Sequence, residues 1–141
     1  MSRLSLIALA LLATATQAAP REGTLYKSPT CGCCAAHAVH LREQGWVIRE
    51  VATQELAEIK QRYGTAVAPS CHTLLMAGYA IEGHVPAAAI ERLLREKPAS
   101  VRALSVPGMP AHSPGMGAYT PGSVAVLAID HQGKTRPWGK F

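Results

Sequence analysis

Three thiols stand within four residues at Cys31-Gly32-Cys33-Cys34, and a fourth, Cys71, lies beside His72. Cys31 and Cys34 make a Cys-x-x-Cys pair. The three crowded sulfurs cannot all close ordinary disulfides with one another. A Cys33–Cys34 bridge would be strained, and a Cys31–Cys33 bridge would close a very small ring. Structural bridges among four thiols have three possible pairings, all of which spend this crowding on nothing. Two chemistries do use it, soft-metal binding and thiol–disulfide exchange. In the first, Cys31, Cys33, Cys34 and Cys71 are the metal ligands. In the second, Cys31 attacks, Cys34 resolves, and Cys33 with Cys71 forms another redox pair. An exchange enzyme needs two thiols and is exposed to mispairing by a third. A metal cluster uses the third directly.

Position refines these roles. Cys31 at a helix N-terminus would be favoured as a thiolate by unpaired amides and the helix dipole. Cys34, three residues on, faces the same side and is expected to be more buried, whereas Cys33 is expected to point away from both. Cys33 and His37 are one helical turn apart, so one ion could touch both. His40 continues that stripe about 10 Å further along the axis at ~1.5 Å per residue, and reads as a solvated surface histidine. Cys71 and His72 are neighbours on an expected strand, which would send them to opposite faces. His84 precedes Pro86 at the start of a helix whose dipole disfavours the imidazolium, keeping a neutral ring for metal. Met109 and Met116 flank His112 in a segment without helical or strand pattern, and thioethers prefer Cu(I). Zinc is the rival metal, but its structural sites come as two separated ligand pairs. Crowded thiols suit a multinuclear cuprous cluster with bridging sulfurs, and the spacing fits iron–sulfur centres poorly. With Asp130 the one aspartate, no paired-carboxylate or Ser-His-Asp hydrolytic signature is present.

The elements that must position these residues alternate between strand and helix. A strand over residues 24–27 passes through Ser28-Pro29-Thr30 into a helix from about 31 or 33 to 44, stopped by Gly45. A strand follows over 46–51, then a helix capped by Thr53 and ending at Gly64. Residues 71–77 and 79–82 flank Gly78 as a hairpin. Pro86 opens a third helix with Ile90, Leu93 and Leu94 as its apolar stripe. Residues 106–121, rich in Gly and Pro, form an irregular loop. A strand over 124–129 and a tail strand towards Trp138 complete the chain. A Cys-x-x-Cys opening the first helix after the first strand is the thioredoxin arrangement, so the expected fold is α/β and thioredoxin-like, a central mixed sheet flanked by helices.

Residues 1–18 combine Arg3, an apolar stretch over 4–13 and small residues before a cut after Ala18, the pattern of a secretory signal peptide. Residues 19–141 then form one exported domain, expected in the periplasm. No later stretch is apolar for long enough to span a bilayer. The net charge is +5, but the charges are scattered without a basic run and aromatics are few. A nucleic-acid partner is therefore unsupported.

Tyr26 to Cys34, Ser70-Cys71-His72-Thr73, Gly78-Tyr79, Ile81 to Pro86, Val106 to Pro110 and Ser113 to Met116 together resemble the CopG family. Those are periplasmic thioredoxin-like proteins associated with copper resistance. The resemblance runs in order along nearly the whole exported chain. It implies copper handling by the cysteine cluster, with copper-handling or redox proteins of the same compartment as partners. It also tips Met109 and Met116 towards a functional role. Two positions depart from that pattern. His37 stands where the family usually carries an aromatic residue. Gly64 to Pro69 replaces the Gly-Val-Pro that tends to precede Ser-Cys-His-Thr.

Overall fold

Alternation along the strands assigns the two faces of the sheet. The computed structural model describes residues 21–141; the signal segment expected over residues 1–18 lies outside them. The strands are β1 (Glu22–Lys27), β2 (Val47–Ala52), β3 (Thr73–Met76), β4 (Tyr79–Glu82), β5 (Val101–Ser105), β6 (Ala125–Asp130) and β7 (Thr135–Lys140). They form one mixed sheet in the order β2-β1-β3-β4-β5-β6-β7. The β1–β2 and β4–β5 pairs are parallel, and the others are antiparallel. Leu25, Leu74, Ile81, Leu104 and Ala128 lie opposite one another across five strands and belong to the main core. Their chain neighbours Leu75, Ala80, Ala103 and Ile129 make a second row on the other face, in a smaller cluster with Ala68 and Tyr63.

Helices α1 (Gly32–Glu43) and α3 (Ala87–Glu96) cover the larger face. Helix α1 buries Cys34, His37, Ala38 and Leu41, and α3 buries Ala87, Ala89, Ile90, Leu93 and Leu94. Full burial of a Leu or Ile side chain is worth about 1.5–3 kcal/mol. Both helices are therefore held by packing. Each makes the crossover between parallel neighbours, α1 from β1 to β2 and α3 from β4 to β5. Helix α2 (Leu56–Tyr63) buries no residue fully and ends at Gly64 in the left-handed conformation, as expected. The hairpin turn also lies where the sequence places it, with Ala77 and Gly78 both at positive φ (48° and 82°). That is the backbone demanded by a two-residue connection matching strand twist.

Three expectations about elements need correction. Thr53 does not cap α2: its hydroxyl accepts from the Glu55 amide at 3.0 Å, Glu55 is the N-cap, and the helix begins at Leu56. The strand expected from Cys71 begins at Thr73, so Cys71 and His72 lie in the bend before it. Strand β5 was not foreseen. Its Val-Arg-Ala-Leu-Ser sequence is poor in β-branched and aromatic residues, and it is a strand because β4 and β6 flank it.

Candidate metal centre

Cys31 is the N-cap of α1, with φ and ψ of −78° and 93°, and Cys33 and Cys34 occupy the first turn. Cys31 and Cys34 are joined by a disulfide with a Cα–Cα distance of 5.4 Å, while Cys33 and Cys71 are free thiols. The Cys33 sulfur does not point away from the pair as expected; it lies 3.6 Å from that of Cys31. All four cysteine sulfurs fall within 4.8 Å of one another. Only Cys34 among them is buried, and the others are half-buried.

Cys71 reaches this group because its chain is fastened on both sides. The fully buried Glu82 carboxylate accepts from the Ser70 amide at 2.7 Å, the Thr73 hydroxyl at 2.7 Å and the Lys60 ammonium of α2. The Ser70 hydroxyl donates to the Gly108 carbonyl, and the Gly83 amide donates to the His72 carbonyl at 2.8 Å. A buried carboxylate persists only with such partners. Here two of its three partners, Ser70 and Thr73, are the residues immediately flanking Cys71 and His72.

The bend before β3 turns Cys71 and His72 to the same side, contrary to the alternation expected of a strand. His72 Nδ1 lies 3.1 Å from the Cys71 sulfur, and His84 Nε2 lies 3.1 Å from the same sulfur. These three residues form a second group of metal-ligating atoms that shares Cys71 with the four thiols. His37 is the third member of a buried imidazole set. The ring centroids of His37, His72 and His84 are 5.0 Å apart in every pair. Both nitrogens of His37 are engaged, Nδ1 with His72 Nε2 at 2.9 Å and Nε2 with the Val85 carbonyl at 3.0 Å.

Burial holds these rings neutral. It is the main cause lowering His37 to about 3, with the neighbouring His84 adding to it. His72 lies well below the ordinary histidine range, from burial first and then from His37, His84 and Lys60. His84 is also lowered by burial, partly opposed by its hydrogen bond to the Pro114 carbonyl. The helix start invoked from sequence is not among these causes. The Cys71 thiol is pushed up to about 12, by burial and then by the nearby Cys33. His40 is not a free surface residue. Its ring stacks on His37 at 6.2 Å, meets the edge of Tyr119 at 5.8 Å and keeps a buried Nε2 without a hydrogen-bond partner among the described residues.

The Gly- and Pro-rich loop over residues 106–121 closes over the site. The Pro114 carbonyl accepts from His84 Nδ1 at 2.6 Å. Gly115, at φ +84°, lies so close to α1 that a Cβ would come within 2.6 Å of the His37 amide nitrogen. Glycine is what permits that approach. Met109 is exposed and Met116 half-buried, next to Gly108 and Gly115 respectively, two of the loop's contact points.

The donor set is soft thiol sulfur with neutral imidazole nitrogen, which fits a cuprous or other soft ion and not magnesium or calcium. A family model described as "Protein of unknown function, DUF411" matches residues 68–116, a span that holds Cys71, His72, His84, Met109 and Met116. Two solved structures titled "Copper resistance protein copG", forms 1 and 2, match at 30% identity. They cover 86% and 85% of this chain and 98% and 97% of theirs, with TM-scores of 0.77 and 0.76. This chain belongs to the CopG family. No curated protein sequence matches it. The CopG likeness covers the thiol cluster and the imidazole pocket together, whereas the family model begins after the first three cysteines. His72 is the site residue that sequence reasoning missed, because strict strand alternation was applied from Cys71, two residues before the strand begins. The available signal was Pro69 two residues before Cys71, which disfavours regular pairing there.

Proposed function

We propose that this CopG-family chain is an exported, periplasmic copper-handling protein that holds Cu(I) in its reduced state. The ligands are Cys31, Cys33, Cys34 and Cys71, joined by His72 Nδ1 and His84 Nε2. We read the fold as thioredoxin-like, with β1, α1, β2, β3, β4 and α3 as that unit and β5 to β7 extending the sheet. The observation that carries the reading is the convergence of four sulfurs within 4.8 Å and two imidazole nitrogens at 3.1 Å from one of them. Bridging thiolates in so small a volume suit more than one cuprous ion, and the copper is cargo to be sequestered or passed on. Met109 and Met116 are loop thioethers that guide the ion to the cluster.

Thiol–disulfide exchange is the second reading, and the Cys31–Cys34 bond favours it. The two are linked. Opening that disulfide takes two electrons and two protons from a dithiol donor, which becomes oxidised in turn. Only then can Cys31 and Cys34 serve as thiolates. The oxidised protein should accordingly hold less Cu(I) than the reduced protein.

Competition between the reduced protein and a cuprous chelator, with free thiols counted in parallel, tests the proposal. Tight Cu(I) binding that falls on closing Cys31–Cys34 is expected. Binding too weak to compete, with dithiol activity confined to Cys31 and Cys34, would overturn it in favour of exchange.

A further inference from the structure

The hydrogen bonds around the imidazole pocket determine where each ring proton sits. A carbonyl oxygen can only accept, so His37 Nε2, 3.0 Å from the Val85 carbonyl, carries the hydrogen. The fully buried, neutral His37 ring then has a bare Nδ1. His72 Nε2 lies 2.9 Å from that Nδ1 and must donate to it. A neutral imidazole has one N–H, so the remaining His72 nitrogen, Nδ1, is bare. That is the atom 3.1 Å from the Cys71 sulfur. His84 follows the same logic: Nδ1 donates to the Pro114 carbonyl at 2.6 Å, which leaves a bare Nε2 at 3.1 Å from the same sulfur.

We propose that His37 is a positioning residue that locks His72 in its Nε2–H tautomer, so that the Nδ1 lone pair is aimed at the Cys71 sulfur. Two imidazole lone pairs then converge on one thiol, which has a single proton to offer. One of them is left without a partner in the metal-free protein, and a metal ion bound to the sulfur satisfies both. The backbone carbonyls of Val85 and Pro114 are the fixed ends of the two chains. His37 is therefore an orienting residue, with no free nitrogen to serve as a ligand. The consequence for copper rests on the function proposed above, but the tautomer does not.

The test is nitrogen NMR of histidine-labelled, metal-free, reduced protein, paired with Cu(I) titration. In the wild type His72 should be the Nε2–H tautomer. In H37F, which keeps ring volume and loses the acceptor, His72 should populate the Nδ1–H form, and Cu(I) affinity should fall roughly 10- to 100-fold, the usual effect of removing an outer-shell partner. H37N, whose amide oxygen falls near the place of Nδ1, should restore the tautomer and most of the affinity. His72 found as Nδ1–H in the wild type would overturn the proposal whether or not either variant folds. So would an unchanged His72 tautomer in H37F. A wild type with the expected tautomer that binds no Cu(I) would support the lock and contradict the copper function.

Discussion

The two halves of the site are built on opposite physical terms. At the thiol end, Cys31 at the helix N-cap and Cys33 on the first turn are half-buried, without a side-chain cap, and their sulfurs lie 3.6 Å apart. At the imidazole end, His37, His72 and His84 are fully buried and each is tied to a backbone carbonyl or to another ring. One half holds a disulfide beside free thiols, and the other is a fixed hydrogen-bonded network. Cys71 belongs to both. Under the function proposed above, this division serves a site that takes up a soft ion in an oxidising compartment, because the imidazole half keeps its geometry with Cys31–Cys34 closed.

The sharpest way to break the comparison is at the shared sulfur. Cys71→Ser removes a soft ligand from both halves and puts a hard hydroxyl in its place. Cu(I) affinity should drop by more than ~100-fold, beyond what losing an outer-shell partner costs. Cys33→Ser should lower the copper count while sparing the imidazole half, and chelator competition on the two variants would separate these outcomes. Equal, full loading in both would mean that the halves are not joined through Cys71.

The next effect tests what holds Cys71 in place. Lys60→Met leaves the fully buried Glu82 carboxylate without its cation. Removing one partner of a buried pair typically costs about 3–5 kcal/mol, so denaturant unfolding should show a loss of that order. Copper binding should weaken with it, because Glu82 also accepts from the amide of Ser70. A stable variant with unaltered binding would show that the ion pair does not position the Cys71 segment.

Acid acts on the imidazole half. His37 is lowered to about 3, and His72 and His84 are lowered as well. Unfolded histidine titrates near 6.5, so below that pH the unfolded chain takes up protons that the native protein refuses. Stability should be fully present above about pH 6.5 and should fall as pH drops towards 3, with a limiting slope of ~1.4 kcal/mol per pH unit for each histidine kept neutral. Denaturant midpoints of metal-free protein between pH 7 and 5 would measure this, and H37F should have the shallower slope. A flat profile would mean that these rings are not held neutral.

The smallest effect belongs to the loop. Replacing Met109 and Met116 together by Leu roughly conserves volume and should cost ~1.5 kcal/mol or less in stability, while Cu(I) affinity falls by a lesser factor than in any cysteine variant. Unchanged affinity with a lowered melting temperature would make the two methionines packing residues.

Much of this was legible in the sequence, for reasons particular residues make plain. Cys31, Cys33, Cys34 and Cys71 announce themselves by type and spacing, and Gly64, Gly78 and Pro86 punctuate the chain where helices and the hairpin turn begin or end. Strand β5 was not legible, because Ala103 and Ser105 owe their conformation to the flanking strands. His72 was hidden by the bend after Pro69, and His40 by the Tyr119 ring that a distant loop brings against it. Strand β5 and the setting of His40 depend on long-range packing that no local periodicity encodes. The role of His37 is also a tertiary property, since Val85 and His72 come to its two nitrogens from other parts of the chain.

The central claim, that one copper site is made from thiolates and neutral imidazoles sharing Cys71, is tested most directly by X-ray absorption at the copper edge of the reduced, Cu(I)-loaded protein. A cuprous edge with a sulfur-dominated shell and a distinct nitrogen contribution, lost on replacing His72 and His84 together, is the expected result. A shell of sulfur alone that is unaltered by those replacements would contradict it.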